Sequence, residues 1–163
     1  MPYHGSYLWQ LRKKVGADLI LMPGASVLVR NPAGQVLLTR RSDNGNWCMP
    51  GGSAEVGGSF LDAALDELKE EVGIVAKPQE LIAFACISRP DYHLINYPNG
   101  DKLHCFAIWF VIENFSGEAK IGEEVTDIRF FDVSAFPQNM AKATRIAVEL
   151  YQKYKDTGLF QVA

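Results

Sequence analysis

The sequence is poor in several features that would point elsewhere. It has three cysteines, Cys48, Cys86 and Cys105, in 163 residues. They lie far apart, form no CxxC pair and are odd in number. A disulfide framework is therefore not expected, and free thiols in a reducing, cytoplasmic setting are. The three histidines, His4, His93 and His104, show no helical pairing, which argues against a His/Cys zinc site. No apolar run approaches the ~18–20 residues that a membrane-spanning helix needs. The first residues, Met-Pro-Tyr-His-Gly-Ser, contain no basic stretch followed by an apolar one, so no secretory leader is expected. Positive charge is not in excess: 16 Lys and Arg stand against 19 Asp and Glu, for a net charge of -3. The signs are mixed and no basic tract occurs, so neither tight nucleic-acid binding nor membrane association is expected. Repeats and low-complexity linkers are missing too.

What is present fits one ordinary domain, since domains run ~100–200 residues. The apolar share is 48% and the charged share 21%, close to globular averages. We expect a single domain over residues 1–163, with a helical segment over residues 1–16. Leu8, Leu11 and Val15 fall on one stripe of that segment, and Gly16 is a plausible stop. Residues 25–30 and 35–41 read as strands joined by the turn-rich Asn31-Pro32-Ala33-Gly34. Residues 81–87, 103–112 and 128–132 read as further strands. The second of these is apolar at nearly every position, the pattern of a strand covered on both faces. Residues 141–155 read as an amphipathic helix. This order predicts a mixed sheet with helices packed on it.

The most informative stretch is residues 49–74, MPGGSAEVGGSFLDAALDELKEEVGI. Its glycines make a loop of low steric bulk. Ser59 and Asp62 form a capping-box-like start, and Gly73 stands where left-handed geometry ends a helix. The expected helix is Phe60–Val72. Leu61, Ala64, Leu65, Leu68 and Val72 share one stripe, and Glu67, Glu70 and Glu71 share the next. Like charges at these spacings repel by roughly 0.2–0.5 kcal/mol per pair. A Glu-rich face alone would be a solvated helix surface. The glycine loop before it adds backbone that can approach a ligand closely, at a helix N-terminus that favours anions. Three converging carboxylates are hard oxygen ligands of the kind that suit Mg²⁺ or Mn²⁺.

These residues resemble the Nudix hydrolases. Over residues 52–74 the family box is matched at Gly52, Glu67, Leu68, Glu70, Glu71, Gly73 and Ile74. It departs at Gly58, where the family has Glu, and at Asp66, where it has Arg. The strand ending Arg40-Arg41, the loop to Trp47 and the Met49-Pro50-Gly51-Gly52 entry are similar as well. The resemblance implies an α/β/α sandwich around a mixed β-sheet. It also implies an Mg²⁺- or Mn²⁺-dependent pyrophosphohydrolase acting on a nucleoside diphosphate linked to another moiety. A nucleoside triphosphate or an ADP-ribose-like compound leads as substrate. Carried over, Glu67, Glu70 and Glu71 would hold metal, with the Gly51 carbonyl adding a ligand. The metal would acidify a water that attacks phosphorus. The base would be a box glutamate or a later one, Glu123 or Glu124. Arg41, Trp47 and Gly52 would meet substrate, although core packing is the commoner fate of such a tryptophan. The resemblance also allows a homodimer, as in many relatives, which the N-terminal helix and the flanking strands could support.

In the family, the two missing residues are described as an ion pair that orients the first catalytic Glu. Losing one partner of a buried pair would strand a charge, whereas losing both avoids that cost. We therefore expect metal binding to be retained and turnover lowered. The rival reading is a weak or inactive nucleotide-binding sensor module, and a third is an interaction domain with a vestigial site. Of the weaker signals, Pro90 and Tyr92 both match substrate markers of different subfamilies and so decide nothing. Cys48 reads as a packing thiol.

Overall fold

The computed structural model describes residues 4–97, 99–113, 115–122 and 124–163. In chain order the elements are α1 (Tyr7–Val15), β1 (Ile20–Val29), β2 (Val36–Arg41), β3 (Trp47–Cys48), β4 (Gly51–Ser53) and α2 (Phe60–Val72). They continue with β5 (Ile82–Ile87), α3 (Pro90–His93), β6 (Leu94–Asn96), β7 (Lys102–Ile112), β8 (Val125–Phe131), α4 (Lys142–Thr157) and β9 (Gln161–Val162).

The apolar run of β7 becomes the central strand of a six-stranded mixed sheet, ordered β4-β1-β7-β5-β9, with β6 also paired to β7. β1 lies parallel to β7 from Ile20↔Leu103 to Val29↔Ile112. Such a pair needs a long crossover, and α2 lies within it. Ala107, Trp109 and Val111 of β7 pack toward α4, in a core with Phe84, Ala147 and Leu150. Phe110 and Ile112 pack toward α2, with Val27, Val29, Leu68 and Val72. Alternate residues of one strand thus fill both cores, as expected of a strand covered twice.

β2 leaves this sheet. The Arg30↔Val36 bridge links it back to the end of β1, and it joins β3 and β8 in a second, three-stranded antiparallel sheet. The turn at 31–34 therefore passes the chain between sheets instead of closing a long hairpin.

β1 begins at Ile20, five residues before the expected start, with Pro23 inside it. The Pro23 carbonyl accepts from the Ala54 N–H at 3.0 Å, so its missing N–H falls on the β4 side. The β4 ladder there reaches only to Gly24, and no rung toward β7 is lost. α1 starts at Tyr7 because Ser6 caps it, accepting from the Trp9 N–H. Four strands of two or three residues and the one-turn α3 have no sequence signature, because partners elsewhere in the chain define them. All three cysteines are free. Among the described residues no helix is long and apolar enough to cross a membrane.

Phe84 is fully buried, and its ring meets Tyr151 edge-on at 5.2 Å. Phe84→Ala should cost about 3–5 kcal/mol by emptying this space. A denaturant midpoint equal to that of the parent would show that the α4 layer is not held here.

Candidate active site

α2 is built to present its acidic flank. Asp62 Oδ2 accepts from the Ser59 N–H at 2.8 Å, and Ser59 Oγ accepts from the Asp62 N–H at 3.1 Å. Gly73 takes the left-handed conformation that ends the helix. Ala63, Ala64, Leu68 and Val72 are buried against the sheet. That fixes the roll of the helix and turns Glu67 and Glu71 to the edge where β4 lies, with Glu70 beside them on the exposed flank. β4 is pinned by its register with β1, Ser26↔Gly51. The Gly51 N–H donates to Glu71 Oε2 at 3.2 Å. A methyl group built at Gly52 would overlap the Glu67 carboxylate, so only glycine lets backbone and carboxylate share that space.

A second segment closes over the helix end. The Lys120 N–H donates to the Val72 carbonyl at 2.8 Å, and the Gly122 N–H to the Glu71 carbonyl at 2.9 Å. A side chain at Gly122 would strike the Glu70 carbonyl. The Glu124 carbonyl then accepts from the Ser42 N–H at 3.2 Å, which sets Glu124 beside the loop after β2. Arg41 stands at the end of β2. Its Nε and Nη2 donate to the two carboxylate oxygens of Asp43 at 2.9 and 2.6 Å. Glu123 lies outside the described residues.

The electrostatics bind these groups into one cluster. Burial pushes the Glu67 carboxyl up to about 8, reinforced by Glu71, Glu70 and Glu124 and opposed by Arg41. Burial pushes Glu71 up to about 7, against the pull of the Gly51 N–H and Arg41. Cys48 lies against the same cluster. Its thiol is pushed up to about 11 by burial and by Glu71, so it is an inert wall, not a nucleophile.

The structure thus brings together Glu67, Glu70, Glu71, Glu124, Arg41, Gly51 and Gly52. It does not bring Trp47 with them. That side chain is 7% exposed, in the α4-side core, with its ring edge-on to Phe131 at 5.0 Å. Alternation within β3 turns Trp47 inward and Cys48 toward the carboxylates, which the dipeptide itself does not reveal. Asp43 and Gly122 are the parts of the cluster that the sequence does not assign to it, and Cys48 is the packing thiol expected there.

Among the described residues, no three His, Cys, Asp or Glu side chains are already drawn in as a ligand set. The donor chemistry nevertheless fits a divalent cation. The donors are hard carboxylate oxygens, and two of the carboxyls are pushed up by burial and by their neighbouring carboxylates. A pH dependence follows. A carboxyl raised in the fold holds its proton after the unfolded chain has lost it, so the metal-free fold weakens as pH rises from about 4.5 toward 8. Adding Mn²⁺ should remove most of that loss, and Mn²⁺ affinity should rise steeply over pH 6–8. Thermal melts across pH, with Mn²⁺ or with chelator, measure both. Parallel curves would contradict the clustering.

Fold and site together define an α/β sandwich with an acidic, glycine-lined cleft at one sheet edge. Residues 20–154 match the NUDIX domain model, and the chain belongs to that family. It is 30% identical over 125 residues to an ADP-ribose pyrophosphatase of Methanocaldococcus jannaschii, covering 75% of this chain and 68% of that protein. It is 30% identical over 114 residues to an RNA pyrophosphohydrolase of Ruthia magnifica, covering 65% of this chain and 62% of that one. Among solved structures, the NUDIX domain of Shewanella oneidensis NrtR, complexed with ADP ribose, superposes with a TM-score of 0.65 at 17% identity. That match covers 83% of this chain and 89% of that chain. The expected family and fold class are borne out. So is the enzyme class, at the level of relatives named as pyrophosphatases, which act on phosphoric anhydrides. Nudix hydrolases generally use a divalent metal.

Proposed function

We propose that this chain is a cytoplasmic, single-domain pyrophosphohydrolase, spanning residues 1–163, that cleaves a nucleoside diphosphate linked to another moiety. ADP-ribose-like compounds and nucleoside triphosphates lead as substrates, the first in keeping with a relative named as an ADP-ribose pyrophosphatase. The observation that carries the reading is the gathering of Glu67, Glu70, Glu71 and Glu124 around one cleft in which Arg41 opposes their charge. Glu67, Glu70 and Glu71 would hold Mg²⁺ or Mn²⁺, together with the Gly51 carbonyl. When bound, such a cation supplies charge for the diphosphate and acidifies water. Arg41 binds a phosphate oxygen. Gly52 keeps the backbone close to Glu67. Glu124 accepts the proton of the attacking water as its oxygen bonds to phosphorus and the bridging P–O bond breaks. Trp47 supports the cleft from the core. A homodimer is part of the reading, and sedimentation velocity would test it.

The test is product release from ADP-ribose, nucleoside triphosphates, diadenosine polyphosphates and a 5′-triphosphorylated RNA, with Mg²⁺, Mn²⁺ or chelator. Cleavage that chelator abolishes supports the hydrolase. Nucleotide binding without product supports the sensor reading, which Gly58 and Asp66 favour. A Cβ at 58 would make only ordinary contacts, the nearest being the Glu55 carbonyl at 3.4 Å, and Asp66 is exposed. Neither backbone position therefore excludes a side chain. Gly58→Glu with Asp66→Arg should raise kcat about tenfold, and either change alone should help little or harm. Equal gains from each single change would defeat the coupling.

A further inference from the structure

Arg41 lies close enough to Glu67 and Glu71 for its charge to oppose the rise of both carboxyls, and as they ionise they should draw its guanidinium onto them. Among the described residues it makes no ion pair with them. Two hydrogen bonds, at 2.9 and 2.6 Å, lock its Nε and Nη2 to Asp43 instead. Both side chains are partly buried, at 28% and 17% exposed, so the pair is better shielded than a surface ion pair. The loop that carries Asp43 is itself tied down. The Arg41 N–H donates to the Asn46 carbonyl at 3.0 Å, and the Gly45 N–H to the Arg41 carbonyl at 3.0 Å. Asn139 Nδ2 donates to the Gly45 carbonyl at 2.9 Å. Among the described residues Nη1 makes no hydrogen bond, which leaves one edge of the fork open to a phosphate oxygen.

We propose that Asp43 is a positioning residue: its bidentate grip holds Arg41 off the carboxylate cluster, so that the carboxylates remain open to a cation and the guanidinium remains open to phosphate. The proposal rests on the function given above and adds what keeps its two halves from neutralising each other. Without Asp43, the guanidinium would settle on the glutamates and compete with the metal. Merely structural packing by Asp43 predicts no such competition.

The experiment is a calorimetric titration of Mn²⁺ alone into the wild type, Asp43→Ala, Arg41→Ala and the double variant. Asp43→Ala should bind Mn²⁺ about tenfold more weakly, a difference of about 1.4 kcal/mol. The double variant should regain at least wild-type affinity, because the competing cation has gone. Inorganic pyrophosphate titrated with Mn²⁺ present should bind more weakly to all three variants. Asp43→Asn keeps one acceptor and should fall between the wild type and Asp43→Ala, which keeps the test available if the alanine variant does not fold. Unchanged Mn²⁺ affinity in Asp43→Ala, or no recovery in the double variant, overturns the clamp. Failure of the wild type to cleave any substrate, with this Mn²⁺ pattern intact, overturns the hydrolase and leaves the clamp standing. A wild type that takes up no Mn²⁺ overturns both.

Discussion

Glu67→Gln makes the metal-free protein more resistant to heat and ends its response to divalent cations. The carboxyl it replaces is pushed up to about 8, first by burial and then by three neighbouring carboxylates. Glutamine keeps the shape and removes the charge. Relief of repulsion worth about 1 kcal/mol would raise Tm by about 2–4 °C in a protein of this size. The gain should be largest above pH 8, where Glu67 is most ionised, and should vanish near pH 5. In Mn²⁺ the order reverses, because the wild type gains stability from the bound cation and the variant has lost a ligand. Turnover should fall about a thousandfold, equivalent to some 4 kcal/mol of activation free energy. Glu149→Gln, on the exposed side of α4, is the control and should change none of these. A Glu67→Gln protein that melts with the wild type in both chelator and Mn²⁺ would return this flank of α2 to an ordinary solvated surface.

How much of this was legible depends on how local each signal is. α2 was read to its end residues because cap, stripe and stop all lie within 15 residues and agree with one another. Its three glutamates could be placed together from helical spacing alone. Glu124 could only be nominated. Its arrival depends on Gly122 packing against the Glu70 and Glu71 carbonyls, a contact across some fifty residues that no periodicity encodes. Asp43 is two residues from Arg41, yet a loop sequence does not tell which way a guanidinium turns. The division into two sheets was hidden for a similar reason. The turn at 31–34 looks like a hairpin, and only the register of β1 with β7 shows that its partner lies elsewhere. β1 starts five residues earlier than expected, and Pro23 is tolerated inside it because a missing N–H matters only on the side where a ladder exists.

Gly52→Ala should leave the fold intact and disable the site. The Gly52 backbone is not in the positive-φ region, so alanine meets no backbone penalty there. Lower chain entropy in the unfolded state could add about 0.4–1 kcal/mol of stability. The added methyl would, however, overlap the Glu67 carboxylate. A carboxylate at the end of a flexible side chain can swing aside at little cost to folding, but it then leaves the place from which it serves the cleft. Mn²⁺ affinity should fall tenfold or more, about 1.4 kcal/mol per decade, and kcat with it. The adjacent residue gives the contrast. A methyl at Gly51 meets the Ala25 carbonyl at 2.5 Å and the Ser26 Cα at 2.8 Å, which are backbone atoms of β1 that cannot swing away. Gly51→Ala should therefore lower Tm, while Gly52→Ala holds it. Melts in chelator, paired with Mn²⁺ titrations of both variants, separate the two effects. Full Mn²⁺ affinity in a folded Gly52→Ala protein would mean that Glu67 does not need its observed place, and Glu67 would then lose its position in the proposed ligand set.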